Sequence, residues 1–150
     1  MDKTVGIVGL GIMGGAIARN LIERGWHVIG FDIDASRRAE LAQMGGTVAP
    51  NVNHISRDAP VILTSLPTPA AVEAVAREIA GSGQSSKIVV ELSTLSLADK
   101  LRFERILQGA GHIPLELPVE RNRRPGEGSR PCRLRQRAKP SDRAMQGLVL

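Results

Sequence analysis

Thr4-Val5-Gly6-Ile7-Val8-Gly9-Leu10-Gly11-Ile12-Met13-Gly14 is a short apolar run that stops at a glycine and opens into G-x-G-x-x-G. Residues 4–8 lack a polar alternation, as expected of a parallel strand buried on both faces. After the glycines, Ile12, Met13, Ala16, Ile17, Leu21 and Ile22 recur with a helical period, and Gly25 ends the run. The stretch therefore predicts strand, tight turn, helix. Each glycine has a physical task in such a unit. Gly9 permits the sharp turn, Gly11 lets a pyrophosphate approach the backbone, and Gly14 allows the helix to pack closely on the strand. The unpaired amides and the positive dipole end of the helix then favour a phosphate at this point.

A glycine hexamer alone carries little weight in a chain with 16 glycines. The context carries more. His27–Phe31 reads as a second strand, and Asp32 closes it 18 residues after Gly14. A carboxylate there can accept hydrogen bonds from both hydroxyls of an adenosine ribose and repels a 2′-phosphate, which favours NAD over NADP. Arg37 and Arg38 qualify that preference, since either could reach a 2′-phosphate. Both are expected to be solvated on the next helix.

Further along, strand and helix continue to alternate. Ser36 is read as the cap of a helix through Met44, and Thr47-Val48 as a short strand. Val52–Arg57 reads as a weak helical turn, with His54 in a polar loop. Residues 60–66 form a strand cut off by Pro67 and Pro69, residues 70–80 a helix, and residues 87–92 a strand. Residues 97–108 form a helix and residues 112–115 a last strand. Apolar strands in strict β-α alternation predict a doubly wound, Rossmann-type α/β fold with a parallel sheet.

Ile7-Val8-Gly9-Leu10-Gly11-Ile12-Met13-Gly14, with Ala18, Asn20, Leu21 and Gly25, resembles the opening of the β-hydroxyacid dehydrogenases. That family includes 3-hydroxyisobutyrate dehydrogenase and 6-phosphogluconate dehydrogenase. Ser65-Leu66-Pro67, Ala71-Val72 and Glu91-Leu92-Ser93-Thr94 extend the resemblance, which runs to Val119. It departs at Ile17, where the family often has Met of similar volume. The resemblance implies hydride transfer between a 3-hydroxy acid and NAD, with NADP as the other candidate cofactor. The implied cofactor-binding residues are Gly9, Leu10, Gly11, Ile12, Met13, Gly14, Asp32, Leu66, Pro67 and Thr94. The backbone around Leu66-Pro67 would line the dinucleotide, and Thr94 would lie near the nicotinamide. Read without the resemblance, those two stretches are a proline-capped loop and a Ser/Thr helix cap.

Beyond Val119 the family pattern ends. The Ser-Gly-Gly substrate loop of the family is absent at Glu120-Arg121-Asn122, and the helix bearing its catalytic lysine has no counterpart. Lys139, between prolines, is not assigned that role, and no catalytic residue is assigned. The charge changes at the same place. Residues 1–118 hold 11 Lys+Arg against 12 Asp+Glu, whereas residues 119–150 hold 9 against 3. The expected organisation is an NAD(P)-binding domain over 1–118 and a disordered Arg/Pro-rich tail over 119–150, with the family's helical domain absent. Codons for residues 120–128 can be chosen that read, one nucleotide later, as Ser-Gly-Thr-Gly-Ala-Gln-Ala-Lys, much like a family substrate loop. The chain is therefore expected to be truncated or frameshifted after Val119, to be inactive alone, and to expose an apolar edge that favours self-association. Sequencing the coding DNA tests the frame.

Several classes are excluded or disfavoured. The lone Cys132 rules out a disulfide framework and a cysteine-based zinc site, and suits a reducing compartment. Aromatics at 2% argue against a base-stacking platform for nucleic acid. Asp2 and the five glycines at positions 6, 9, 11, 14 and 15 argue against a signal peptide, so a cytoplasmic location is expected. No carboxylate or second histidine is spaced to make His27, His54 or His112 a metal ligand or triad member. Two alternatives are carried: a nucleotide-binding module whose basic tail contacts polyanions, and a small reductase that borrows catalytic residues from a partner chain.

Overall fold

The computed structural model describes residues 2–117. Eleven elements follow one another as β1 (Thr4–Val8), α1 (Ile12–Glu23), β2 (His27–Phe31), α2 (Ala35–Gln43), β3 (Thr47–Val48), α3 (Val52–Asp58), β4 (Val61–Thr64), α4 (Pro69–Ala80), β5 (Ile88–Glu91), α5 (Leu97–Gly109) and β6 (Ile113–Glu116). Every strand pair is parallel, and the sheet order is β3-β2-β1-β4-β5-β6. Two mononucleotide-binding halves thus meet between β1 and β4, where the chain reverses its direction of travel across the sheet. The doubly wound Rossmann-type fold expected from the alternation is the observed one.

Register explains why the strands are apolar on both faces. Gly6, Val8, Ile29, Ile62 and Val89 share one face, where Ile55 of α3, Val72, Ala76 and Ile79 of α4, and Phe103 and Leu107 of α5 complete a buried core. Val5, Ile7, Val28, Leu63 and Val90 occupy the opposite face and are equally buried, as are Leu21 of α1 and Leu41 of α2. Burial of this kind contributes roughly 1.5–3 kcal/mol per large aliphatic side chain.

Three local expectations change. Asp34, not Ser36, caps α2: its Oδ1 accepts the Ser36 N–H at 2.9 Å and the Ser36 hydroxyl at 2.7 Å. A carboxylate at the cap competes well for the first amides, so the helix starts before Ser36 and contains it. Those bonds from Ser36 hold the Asp34 carboxyl below its ordinary range. Next, residues 52–58 are a complete helix rather than a weak turn, capped by Asn51, whose Oδ1 accepts the His54 N–H at 2.9 Å. That helix brings His54 within 3.0 Å of Asp58, one turn on, so this histidine does have a carboxylate partner. Finally, α4 starts at Pro69 with Thr68 as cap, because proline at the first helical position forfeits only an amide that has no helical partner.

At the far edge, Leu97 and Leu101 of α5 and Ile113 of β6 are exposed. No helix among the described residues is long and apolar enough to cross a membrane. The expected tail and Lys139 lie outside the described residues.

Candidate dinucleotide site

The loops after β1, β2, β4 and β5 emerge side by side at the carboxyl edge of the sheet, because those strands are neighbours in the order β2-β1-β4-β5. All ten residues singled out in the sequence are on these loops or in the first turn of α1. At the centre is the glycine turn. Gly9 has φ +94°, and a Cβ built there would fall 2.0 Å from the Ser65 carbonyl oxygen. Gly14 is buried in α1, and its Cβ would stand 1.9 Å from the Gly9 carbonyl oxygen. Both obstacles are backbone and cannot swing aside. The turn is pinned further by Gly9 N–H donating to the Phe31 carbonyl at 2.9 Å.

Gly11 is the N-cap of α1 and supplies no side chain to its first amides. A Cβ there would meet only the Arg37 guanidinium, with Nη1 at 2.6 Å. The end of this helix therefore faces a movable cation rather than protein backbone. Arg37 is held weakly, 3.7 Å from Asp34, with 43% of its side chain exposed. Arg38 is not solvated as expected: its Nη1 donates to the carbonyls of Asp32 and Ile33 at 2.7 and 3.1 Å. Those bonds fix the β2–α2 loop and leave Arg37 as the cation nearer the turn.

Asp32 ends β2 half-buried. Its Oδ2 accepts the Leu10 N–H and its Oδ1 the Asp34 N–H, both at 2.8 Å. A carboxylate has about four acceptor positions, so two bonds leave room for ribose hydroxyls. Leu10 is 4% exposed, so its side chain belongs to the core and its amide to the turn. Ile12, at 96% exposure, and the exposed Met13 stand at the open start of α1, and Ile33, at 91%, stands beside Asp32. Ile33 was not picked out in the sequence. An isolated isoleucine after an acidic strand end is no signal until the fold leaves it bare at a site.

On the other side, Leu66 is half-buried and Pro67 and Thr94 are exposed. Leu66 N–H donates to the Ser93 hydroxyl oxygen at 2.8 Å, which ties the two loops together. Thr94 does not cap the following helix; Ser96 does, accepting the Asp99 N–H at 3.2 Å. Among the described lysines, Lys3 and Lys87 precede β1 and β5 at the opposite end of the sheet, and Lys100 is paired with Glu116 at 3.1 Å.

A glycine turn, an uncapped helix start and a carboxylate at the next strand end define a dinucleotide-binding unit. A family model for the NAD binding domain of 6-phosphogluconate dehydrogenase matches residues 4–127. A probable mitochondrial 3-hydroxyisobutyrate dehydrogenase of Dictyostelium discoideum is 41% identical over 121 residues, covering 79% of this chain and 38% of the relative. The solved 3-hydroxyisobutyrate dehydrogenase of Mycobacterium tuberculosis with L-serine superposes with a TM-score of 0.76 at 27% identity, over 80% of this chain and 41% of that one. Imine reductase from Myxococcus stipitatus shares the fold at 21% identity in a V8 variant complex with NAD+ and at 20% with NADP+. The TM-scores are 0.72 and 0.70, over 77% and 75% of this chain and 40% and 39% of those chains. The chain belongs to the family of the NAD binding domain of 6-phosphogluconate dehydrogenase. It spans about 40% of the length of the relatives it matches.

Proposed function

We propose that this chain binds a nicotinamide dinucleotide, NAD in preference to NADP, across the carboxyl edge of its sheet, and that it is the cofactor half of a 3-hydroxyisobutyrate dehydrogenase-like oxidoreductase. The observation that carries the reading is the placement of Asp32 against the glycine turn, joined to it through the Leu10 amide. The residues present fit the group: a Cβ at Gly9 or Gly14 would collide with backbone, and the start of α1 has no side-chain cap. Gly9 through Gly14 would hold the pyrophosphate, Asp32 the adenosine ribose, and Leu66, Pro67 and Thr94 the nicotinamide side. When bound, the cofactor supplies the hydride acceptor. The protein contributes binding and orientation.

The chain alone is proposed to be inactive, with residues 1–118 as the cofactor domain and the tail outside it. The exposed Leu97, Leu101 and Ile113 support self-association through that edge. The single cysteine supports a reducing, cytoplasmic setting. Calorimetric titration of the purified chain is expected to give a lower Kd for NADH than for NADPH. NADH at about 100 times its Kd is expected to add about 2.7 kcal/mol to the stability. A lower Kd for NADPH would overturn the preference, and a melting temperature indifferent to both would overturn the reading.

The basic balance of residues 119–150 favours a second reading, in which the tail binds polyanions. Such binding would weaken steeply with salt, whereas cofactor binding would not share that dependence.

A further inference from the structure

Thr64 and Glu91 stand opposite each other at the ends of β4 and β5, on the face that carries the α4 and α5 core. Thr64 is fully buried and Glu91 is 3% exposed. Valines precede Glu91 along β5, and a further apolar residue would fill its place without the cost of desolvating an acid. Each oxygen of the acid instead accepts a hydrogen bond. Its Oε2 accepts the Thr64 hydroxyl at 2.5 Å, and its Oε1 accepts the Ser93 N–H at 2.5 Å. The Ser93 hydroxyl oxygen then accepts the Leu66 N–H at 2.8 Å. One buried side chain therefore sets the exit of β5 against the exit of β4. The loops it joins carry Leu66-Pro67 and Ser93-Thr94.

Asp32 puts the adenosine half of a dinucleotide over β2. A ligand crossing the switch point between β1 and β4 then lays its other half over β4 and β5. The Glu91 network lies under that second half. The adenosine side is held by a separate set of bonds, from Leu10, Asp34 and Arg38.

We infer that Glu91 is a positioning residue for the nicotinamide half of the cofactor, acting through Ser93 and Thr64 on the two loops without touching the ligand itself. This rests on the dinucleotide reading above. It adds that affinity for the nicotinamide half can be removed while affinity for the adenosine half stays.

The test titrates the full chain with NADH and with ADP-ribose, which keeps both riboses and the pyrophosphate but lacks the nicotinamide. Glu91→Leu removes both acceptors, and Ser93→Ala removes the link to Leu66. In each, NADH is expected to bind about fivefold to tenfold more weakly, the scale of one lost hydrogen bond, with ADP-ribose held within about twofold. Glu91→Gln is expected to recover most of the NADH affinity that Glu91→Leu loses. Its amide oxygen accepts from Ser93 N–H while its NH2 donates to the Thr64 hydroxyl oxygen.

Equal losses for both ligands would overturn the inference, as would unchanged NADH affinity in Ser93→Ala. A Glu91→Gln loss as large as that of Glu91→Leu would do the same, because it would indicate charge rather than directed hydrogen bonds. NADH binding no tighter than ADP-ribose in the unaltered chain also overturns it. If Glu91→Leu does not fold, Ser93→Ala decides alone. Failure of the unaltered chain to bind either ligand defeats the dinucleotide reading, and the inference falls with it. Binding of ADP-ribose without the split between ligands defeats the inference alone.

Discussion

The Leu10 amide donates to Oδ2 of Asp32 at 2.8 Å, across 22 residues of chain, so the carboxylate proposed for the ribose also closes the glycine turn. Its other oxygen holds the Asp34 amide at the entrance to α2. One side chain thus joins the end of β2 to the end of β1, and its two roles respond differently to substitution.

Asp32→Ala is expected to lower stability by about 1–2 kcal/mol, since two backbone amides lose a carboxylate acceptor at a half-buried position. It is also expected to narrow the affinity gap between NADH and NADPH, because the repulsion of a 2′-phosphate goes with the charge while Arg37 stays nearby. Urea midpoints and paired titrations measure the two effects separately. A gap that widens would show that Asp32 is not the discriminating group.

Gly14→Ala tests the turn without altering charge. Its Cβ would stand 1.9 Å from the Gly9 carbonyl oxygen, a backbone atom of the turn, and is itself fixed by the α1 backbone. Relief requires moving α1 off β1, at about 1–3 kcal/mol. The expected result is a lower urea midpoint together with loss of NADH binding. By contrast, Gly25→Ala meets nothing within 4 Å, and its strain comes only from φ +83°. It is expected to cost stability while sparing NADH affinity.

Buried His112 supplies a pH dependence. Its Nδ1 accepts the Lys87 N–H at 3.3 Å, which leaves the ring proton on Nε2, where no hydrogen-bond partner is present among the described residues. Burial pushes its pKa below the ordinary histidine value. The Ile79 backbone opposes that shift and the Lys87 charge adds to it. The folded state therefore takes up a proton less readily than the unfolded chain. Its contribution to stability is full above about pH 6.5 and is lost progressively as pH falls from there toward the folded-state value. Asp34, Asp58 and Glu73, whose pKa values are lowered by their partners, keep their contribution across this range and lose it only as pH falls through the carboxylate range. Urea midpoints at pH 7.5 and 5.5 are expected to differ less in His112→Leu than in the unaltered chain. An equal difference would show that His112 does not set the slope.

Turnover by the chain alone is expected to be undetectable. Lys3 and Lys87 precede their strands at the far end of the sheet, and Lys100 is committed to Glu116, so no described lysine is free to move a proton at the cofactor edge. General acid–base catalysis typically contributes about 10²–10⁴-fold, and lost substrate positioning removes more. The assay follows NADH formation with NAD and a panel of 3-hydroxy acids. Clear turnover that survives deletion of residues 120–150 would place the catalytic group inside the nucleotide domain.

By itself, the sequence determined what contiguous pattern can encode. Apolar runs alternating with helical periods specified six strands in a parallel, doubly wound sheet. Gly9, Gly11, Gly14 and Asp32 marked the turn and its carboxylate, because each task falls at a set distance along one strand-turn-helix-strand unit. Contacts between residues remote in sequence were decided only by the tertiary structure. Glu91 and Ser93 were only part of a resemblance until parallel pairing put Thr64 opposite Glu91 and brought Leu66 to the Ser93 hydroxyl. Arg38 looked solvated until the β2–α2 loop presented it two carbonyls. His112 looked like an ordinary strand opener until the fold buried it against the Lys87 amide. In each case the deciding quantity is strand register or desolvation. Both arise from packing segments many residues apart, and no local spacing of residue types records them.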